Sequence, residues 1–419
     1  MTAHPGPIRV SENGRYFVDA NNRPFFWMGD TAWPLFSQYP VVSAERYLED
    51  RAAKGFSVIQ GVLAWGNGTG FENALPDANE TGHRPWNDSP AQPDPVYFEQ
   101  VDHLLDVAER LGLTLAMLPT WGYYVVDSGA FDVESARIYG RFLGSRYKDR
   151  PNVVWVSGGD RVPVGREDVY RALALGLREG DGGRSLITYH PCGWRSSSQY
   201  FNDEAWLDFN MIETWTAWHQ VYPAVLADTL LTPTRPVVLG EGAYENGPEY
   251  PQGPITPLIV RRQAWWAFMA GGYITYGQDQ MWRMGPGWEQ TFDTPGARHM
   301  SLFRQIATSR AWWQRIPDQG LFDDGASSGR TQNAAVRSPN GDWAMLYFAS
   351  QCSALVNIEK ILTPRVKCTW VNPATGEEKD AGVFDTGNRP GSIFPERCRR
   401  WFSVPDFWED GVLVLDGIG

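Results

Sequence analysis

The chain has 419 residues, 42% of them hydrophobic and 21% charged, a balance typical of a globular protein with one large domain and a smaller one. Its net charge of −12 excludes nucleic acid as a partner, since gripping a phosphate backbone requires clustered Lys and Arg. No apolar run reaches the ~18 residues needed to cross a bilayer, so no membrane partner is expected either.

The first residues, MTAHPGPIRVSENG, lack a basic segment followed by an apolar core. The expected location is therefore cytoplasmic, or secreted or periplasmic if a leader has been removed. Turn signals at Ser11–Arg15 and Ala20–Pro24 bracket Tyr16-Phe17-Val18 and predict an N-terminal β-hairpin over residues 1–24. From 25 to 316, apolar strands alternate with helical patterns. The strands are Phe25–Met28, Ser57–Leu63, Thr114–Leu118, Val153–Val156, Leu186–Tyr189, Phe209–Ile212, Val237–Leu239 and Tyr273–Tyr276. The helices are Ser43–Lys54, Tyr97–Leu111, Val133–Tyr147, Glu167–Arg178, Tyr222–Leu230 and Pro257–Ala270. Eight such strands predict a (β/α)8 TIM barrel. The alternative, an open doubly wound sheet, lacks the expected G-x-G-x-x-G after the first strand. Residues 317–419 are rich in turn signals between short segments such as Trp343–Phe348 and Val366–Trp370, which predicts a small all-β sandwich.

Two strand ends stand out. Pro236–Leu239 runs into Gly240-Glu241-Gly242, and Asn152–Val156 runs through Ser157-Gly158-Gly159 into Asp160. Either carboxylate could be a helix cap or an ion-pair partner. Together, at the C-terminal ends of two buried strands, they form the arrangement of a two-carboxylate glycosidase. The other strand ends supply polar groups interleaved with aromatics: Asp30, Trp33, Trp65, Asn67, Trp121, Tyr123, His190, Glu213, Trp215, Gln278 and Trp282. That mixture suits an uncharged, hydroxyl-rich ligand, whereas a phosphate site would show a glycine-rich turn with Lys or Arg. Asp30 could instead cap the next turn, His190 could be a satisfied core residue, and the tryptophans could be core packing. Glu213 is the main rival to Glu241. With 6 His and no H-x-H after the first strand, a metal-dependent hydrolase is not favoured, and no metal or other cofactor is expected. Cys192, Cys352, Cys368 and Cys398 show no C-x-x-C spacing, although a pair in the C-terminal region stays open.

Four motifs in order resemble glycoside hydrolase family 140, the apiosidase-like barrels. They are FFWMGDTAWPLF at the first strand, N-x-V-W-x-x-G-G-D at the fourth, Y-H-P-x-G at the fifth and G-E-G at the seventh. The resemblance covers residues 8 to 419, because such proteins carry a C-terminal β-domain of collagen-binding type. It implies a retaining mechanism with Asp160 as acid/base and Glu241 as nucleophile, and apiose from plant cell-wall glycans or glycosides as one substrate. Another furanoside or pyranoside, such as an arabinoside or galactoside, is the alternative, and a non-catalytic carbohydrate-binding barrel is a further one. Oligomeric state is not legible.

Overall fold

The structure, a computed structural model, describes residues 4–66, 75–248, 253–388 and 398–419. Its centre is a barrel of eight parallel strands: β1 (Met28–Thr31), β2 (Val58–Val62), β3 (Thr114–Leu118), β4 (Val153–Gly158), β5 (Ile187–His190), β6 (Asn210–Glu213), β7 (Val237–Glu241) and β8 (Tyr273–Tyr276). Every residue of these strands is buried, as expected for a parallel sheet covered by helices. Parallel ladders run from β5 through β4, β3, β2, β1, β8 and β7 to β6. The seam between β5 and β6 is held differently. The Asp208 amide donates to Ile187 O (2.9 Å), and Thr188 Oγ1 donates to Phe209 O (2.6 Å). A two-residue strand, Arg195–Ser196, runs antiparallel to the outer edge of β6. The barrel is therefore nearly closed.

The N-terminal residues build a three-stranded antiparallel sheet, Arg9–Val10, Phe17–Val18 and Pro24–Phe25, rather than a two-stranded hairpin. Phe17 is fully buried and packs on Trp27, Phe209 and Tyr273, at the N-terminal ends of β1, β6 and β8. It plugs the bottom of the barrel. Because Phe25 belongs to this sheet, β1 begins only at Met28, and Asp30 lies inside the strand rather than beyond its end.

Long helices Val41–Ala53, Tyr97–Arg110, Val133–Tyr147, Glu167–Asp181, Val221–Thr229 and Pro257–Met269 surround the barrel. A further helix absent from the sequence reading, Pro295–Ala307, follows β8. Thr294 caps it by accepting from the Ala297 amide, and Pro295 occupies its first turn, where a missing N–H costs nothing. Between β5 and β6 only the four-residue helix Ser198–Phe201 forms.

Beyond the barrel, a six-stranded antiparallel sheet that includes Trp343–Phe348, Arg365–Val371 and Gly411–Ile418 faces a three-stranded one (Phe322–Asp324, Ser353–Asn357, Arg399–Ser403). Leu346, Phe348, Val356 and Phe402 belong to the core between them. The outer face of the larger sheet covers helix Pro257–Met269, where Trp265 stacks on Tyr347 (centroids 5.7 Å, 19° apart). Arg261 of the same helix is buried and donates to both oxygens of Asp410 (2.8 and 3.1 Å), and the Tyr347 hydroxyl donates to the same carboxylate (2.8 Å). Among the described residues the cysteines form no disulfide, and no helix is long and apolar enough to cross a membrane.

Removing one partner of a buried ion pair strands the other charge. Asp410→Ala is expected to cost about 3–5 kcal/mol of stability, read as an earlier denaturant midpoint. Loss of Glu409, a largely exposed second partner of Arg261, is expected to cost under about 1 kcal/mol.

Candidate active site

Strand register assembles the centre. Gly158 at the end of β4 pairs with His190 at the end of β5, and Glu213 at the end of β6 pairs with Glu241 at the end of β7. The chain leaves β4 through three successive left-handed residues, Gly158 (φ 94°), Gly159 (φ 113°) and Asp160 (φ 49°). A Cβ on Gly158 would lie 2.2 Å from His190 O, and one on Gly159 would lie 2.6 Å from the Trp121 ring, so both must be glycine. Asp160 holds a conformation uncommon for a side-chain-bearing residue, as residues at reactive sites often do. On β7, a Cβ at Gly240 would meet the Met211 side chain at 2.4 Å. Past Glu241 the turn is pinned by Gln263, which accepts from the Ala243 amide (2.8 Å) and donates to Ala243 O (3.0 Å).

Asp160, His190, Glu213 and Glu241 each present one donor atom, and these four atoms lie within 4.8 Å of one another. His190 Nε2 is 3.4 Å from Glu241 Oε2, and its Nδ1 is 3.9 Å from both Asp160 Oδ1 and Glu213 Oε2. Nδ1 also lies 2.9 Å from Pro191 O, an acceptor, so Nδ1 carries the proton and Nε2 of the neutral ring is an acceptor. The side chains differ in access: Asp160 keeps 32% of its surface exposed, Glu241 8%, Glu213 4% and His190 none. Asp160 is the group that can exchange a proton with solvent.

Burial and the charge of Glu241 push Asp160 up to about 7. Burial, then the charges of Asp160 and Glu241, hold Glu213 well above the usual carboxylate range. Burial lowers His190, which keeps it neutral. Near neutral pH Asp160 is therefore close to its midpoint, beside a Glu213 that is also raised. The same four donors would also suit a divalent cation.

An aromatic wall closes one side. Trp33 lies edge-to-face on His190 (5.2 Å) and on Trp121 (5.1 Å), Trp65 packs on Trp121 (4.9 Å), and all three are nearly buried. The indole nitrogens of Trp65 and Trp121 have no hydrogen-bond partner among the described residues. Tyr244 escaped the sequence reading although it ends the same Gly-Glu-Gly stretch; its hydroxyl accepts from Trp33 Nε1 (3.0 Å). Trp215, by contrast, is open to solvent at the rim. Tyr123 is half-buried against Tyr124, and Trp282 is half-buried beneath the Arg283 guanidinium (4.1 Å). Gln278 caps the helix Asp279–Arg283 by accepting from the Gln280 amide (2.7 Å). Asn67 lies outside the described residues.

Asp30 requires a correction. Its carboxylate is fully buried, away from the centre, accepting from Arg51 Nε, the Tyr47 hydroxyl (2.7 Å) and the Thr31 amide (2.8 Å). Side chains on a strand alternate, and position 30 points out to helix Val41–Ala53, which carries Tyr47 and Arg51. It anchors a helix to the barrel and is not placed to bind a sugar.

Residues 11–314 match the family model described as "Apiosidase-like, catalytic domain". The chain belongs to this apiosidase-like family. Residues 316–416 match a second model, "Putative collagen-binding domain of a collagenase". A solved structure titled glycoside hydrolase is 26% identical, with TM-score 0.86, covering 100% of this chain and 99% of its own. A glycoside hydrolase family 5 structure from Bacteroides vulgatus is also 26% identical, with TM-score 0.88 and coverages of 100% and 95%. A comparison with curated proteins gave no match. Family and neighbours together support a glycosidase.

The crowding of acids in this apiosidase-like centre has a thermodynamic signature. Asp160 binds its proton more tightly folded than unfolded, so its contribution favours the folded chain below its ordinary value of 3.8 and is lost as pH rises through about 7. Glu241→Gln removes the charge that raises Asp160. The variant is expected to gain more melting temperature over the wild type at pH 8 than at pH 5, measured by calorimetry; an equal change at both pH values would contradict the coupling.

Proposed function

We propose that the protein is a retaining glycoside hydrolase that releases a furanosyl sugar, apiose first among the candidates, from plant glycans or glycosides. The observation that carries this reading is the pairing of Asp160 and Glu241 in one cluster, with an oxygen of each within 4.8 Å. Retaining enzymes hold their carboxyl groups about 5–5.5 Å apart, whereas inverting ones leave room for a water between them. The family match supports apiose as the sugar.

In the first step protonated Asp160 gives its proton to the glycosidic oxygen while the Glu241 carboxylate attacks the anomeric carbon. The leaving group departs with that proton, and a glycosyl ester remains on Glu241. Esterification removes the Glu241 charge that had raised Asp160, so Asp160 now favours its ionised form and can act as a base. It takes a proton from water, the oxygen attacks the anomeric carbon, the bond to Glu241 breaks to return its carboxylate, and two inversions give net retention. Glu213, whose burial and acidic neighbours favour its protonated form, is less suited to be the nucleophile.

Glu241→Ala is expected to lower hydrolysis on the order of 10⁴-fold on every substrate. Asp160→Ala is expected to spare glycosylation by an activated aryl furanoside, and added azide should restore turnover as a glycosyl azide of unchanged anomeric configuration. Equal loss on good and poor leaving groups, with no azide response, would remove Asp160 from the acid/base role.

The acid form of Asp160 is needed for the first step, so kcat/KM is expected to fall as pH rises through about 7. Because the four donors also suit a cation, activity should be measured after exhaustive chelation. Retained turnover is expected; loss restored by a divalent ion would replace this mechanism with a metal-dependent one.

A further inference from the structure

Exposed tryptophan is scarce in this chain. Of 20 tryptophans, Trp194, Trp215 and Trp401 are the exposed ones among the described residues. Two of the three meet at the rim of the centre: the rings of Trp194 and Trp215 have centroids 6.3 Å apart and planes 38° apart. Sandwiching a third ring needs about 7 Å, twice a 3.5 Å contact. The pair is therefore one continuous, bent platform rather than a clamp.

Its position ties it to the chemistry. A Cβ on Gly193, the residue before Trp194, would lie 3.3 Å from Glu213 Oε1 and 3.5 Å from the Trp215 ring. The Gly193–Trp194 turn thus sits over Glu213, which belongs to the same cluster as Asp160 and Glu241. Both platform residues hold left-handed backbone, Trp194 at φ 65° and Trp215 at φ 42°, which bulky residues rarely adopt. From Trp194 and Glu213 a cavity of about 550 Å³ runs outward past Ala217, His219 and Pro223 to Asp228. That volume suits a small ligand, and its lining is mostly apolar with a few polar groups.

The opposite side of the centre is closed by the buried Trp33, Trp65 and Trp121. A glycoside whose linking oxygen reaches Asp160 must extend its leaving group somewhere, and the cavity bordered by Glu213 and Trp194 offers it space. We propose that Trp194 and Trp215, with the groove behind them, form the leaving-group subsite, which takes a flat six-membered ring, aryl or pyranose, attached to the scissile oxygen. This rests on the hydrolase reading above and adds the side of the site that selects what is released from the sugar. Sugar C–H faces and aryl faces both pack on indole, so the shared requirement is a flat apolar face.

The test uses matched pairs of 4-nitrophenyl and methyl glycosides of β-D-apiofuranose, α-L-arabinofuranose and β-D-galactopyranose. The chain, Trp194→Ala, Trp215→Ala and Trp194→Phe are compared by kcat/KM and by calorimetric binding. Both alanine variants are expected to narrow the nitrophenyl-to-methyl ratio of kcat/KM about 10-fold, the scale of one lost aromatic contact, while Trp194→Phe restores most of it. The ratio cancels losses common to both leaving groups, including partial misfolding. If the chain turns over a pair and the ratio does not move in either alanine variant, the subsite is overturned and the hydrolase reading stands. If the chain turns over none, but binds the nitrophenyl member more tightly than the methyl one and loses that preference in Trp194→Ala, the subsite stands and the hydrolase reading falls. A chain that shows no preference for the nitrophenyl member, in binding or turnover, overturns the proposal. Adding free cellobiose or 4-nitrophenol as competitor separates the two ring types: the preferred occupant inhibits the chain more strongly than the alanine variants.

Discussion

Three carboxyl groups and one imidazole share a barrel mouth in which like charges cannot all form. That constraint organises the rest of the site. Isolated in water, Asp160, Glu213 and Glu241 would each be ionised at neutral pH. Packed around a neutral His190, Asp160 and Glu213 are both raised above the usual carboxylate range, Asp160 to about 7. The nearest cation does little to relieve the crowding. Arg161, next in sequence to Asp160, turns away to Asp127 and to the Asp160 carbonyl. Its charge is the smallest of the influences on Asp160. A guanidinium in the centre would discharge the repulsion and take the mobile proton with it.

Such crowding disfavours the folded state, and the surrounding structure must offset it. The left-handed exit of β4 works in the same direction, because a side chain at φ 49° persists only where neighbours over-determine it. Those neighbours are present. Gly159 donates to His190 O (3.0 Å), and the Trp33–Trp121–Trp65 packing holds the imidazole from the other side. Below the centre, Gln60 donates to Thr31 Oγ1 (3.1 Å) and across to Gly240 O (2.8 Å), tying β1, β2 and β7 together under the reacting groups.

Much of this was legible in the sequence, and the misses have physical causes. Apolar runs marked all eight strands, because parallel strands buried on both faces read as continuous hydrophobic segments. Paired glycines marked the β4 and β7 exits, since close backbone approach leaves no room for a Cβ. Asp30 was misread because the first strand's apolar run begins in the N-terminal sheet, which displaces β1 by three residues. Arg51, its partner, lies 21 positions later on a helix, where no local pattern announces the contact. Glu213, read from its strand end as the rival to Glu241, carries no flanking glycine, and strand register sets it beside Glu241. Trp194 stood directly after the Y-H-P-x-G motif, but exposure at a rim has no period in sequence. Helix Pro295–Ala307 did have a signal, the Thr294-Pro295 start, which the turn-rich residues before it obscured.

The buried acids of this chain fall into two kinds. Asp30 meets Arg51 and Tyr47, Asp410 meets Arg261 and Tyr347, and Asp228 accepts from Ser196 and Ser198. Glu245 accepts from Tyr276, Thr294 and the Gly296 amide. Each of these carboxylates is surrounded by donors or a cation, so its charge is compensated and the residue serves the fold. Asp160, Glu213 and Glu241 face one another and an imidazole whose inward nitrogen is an acceptor. Their mutual repulsion couples their protonation, so a change in the charge of one shifts the others. What separates a structural acid from a reacting one here is the sign of its partners rather than its depth. By that criterion Asp30 belongs to the scaffold although it lies within the first-strand motif, and Glu213, flagged from its strand end beside two tryptophans, belongs with the acids of the centre.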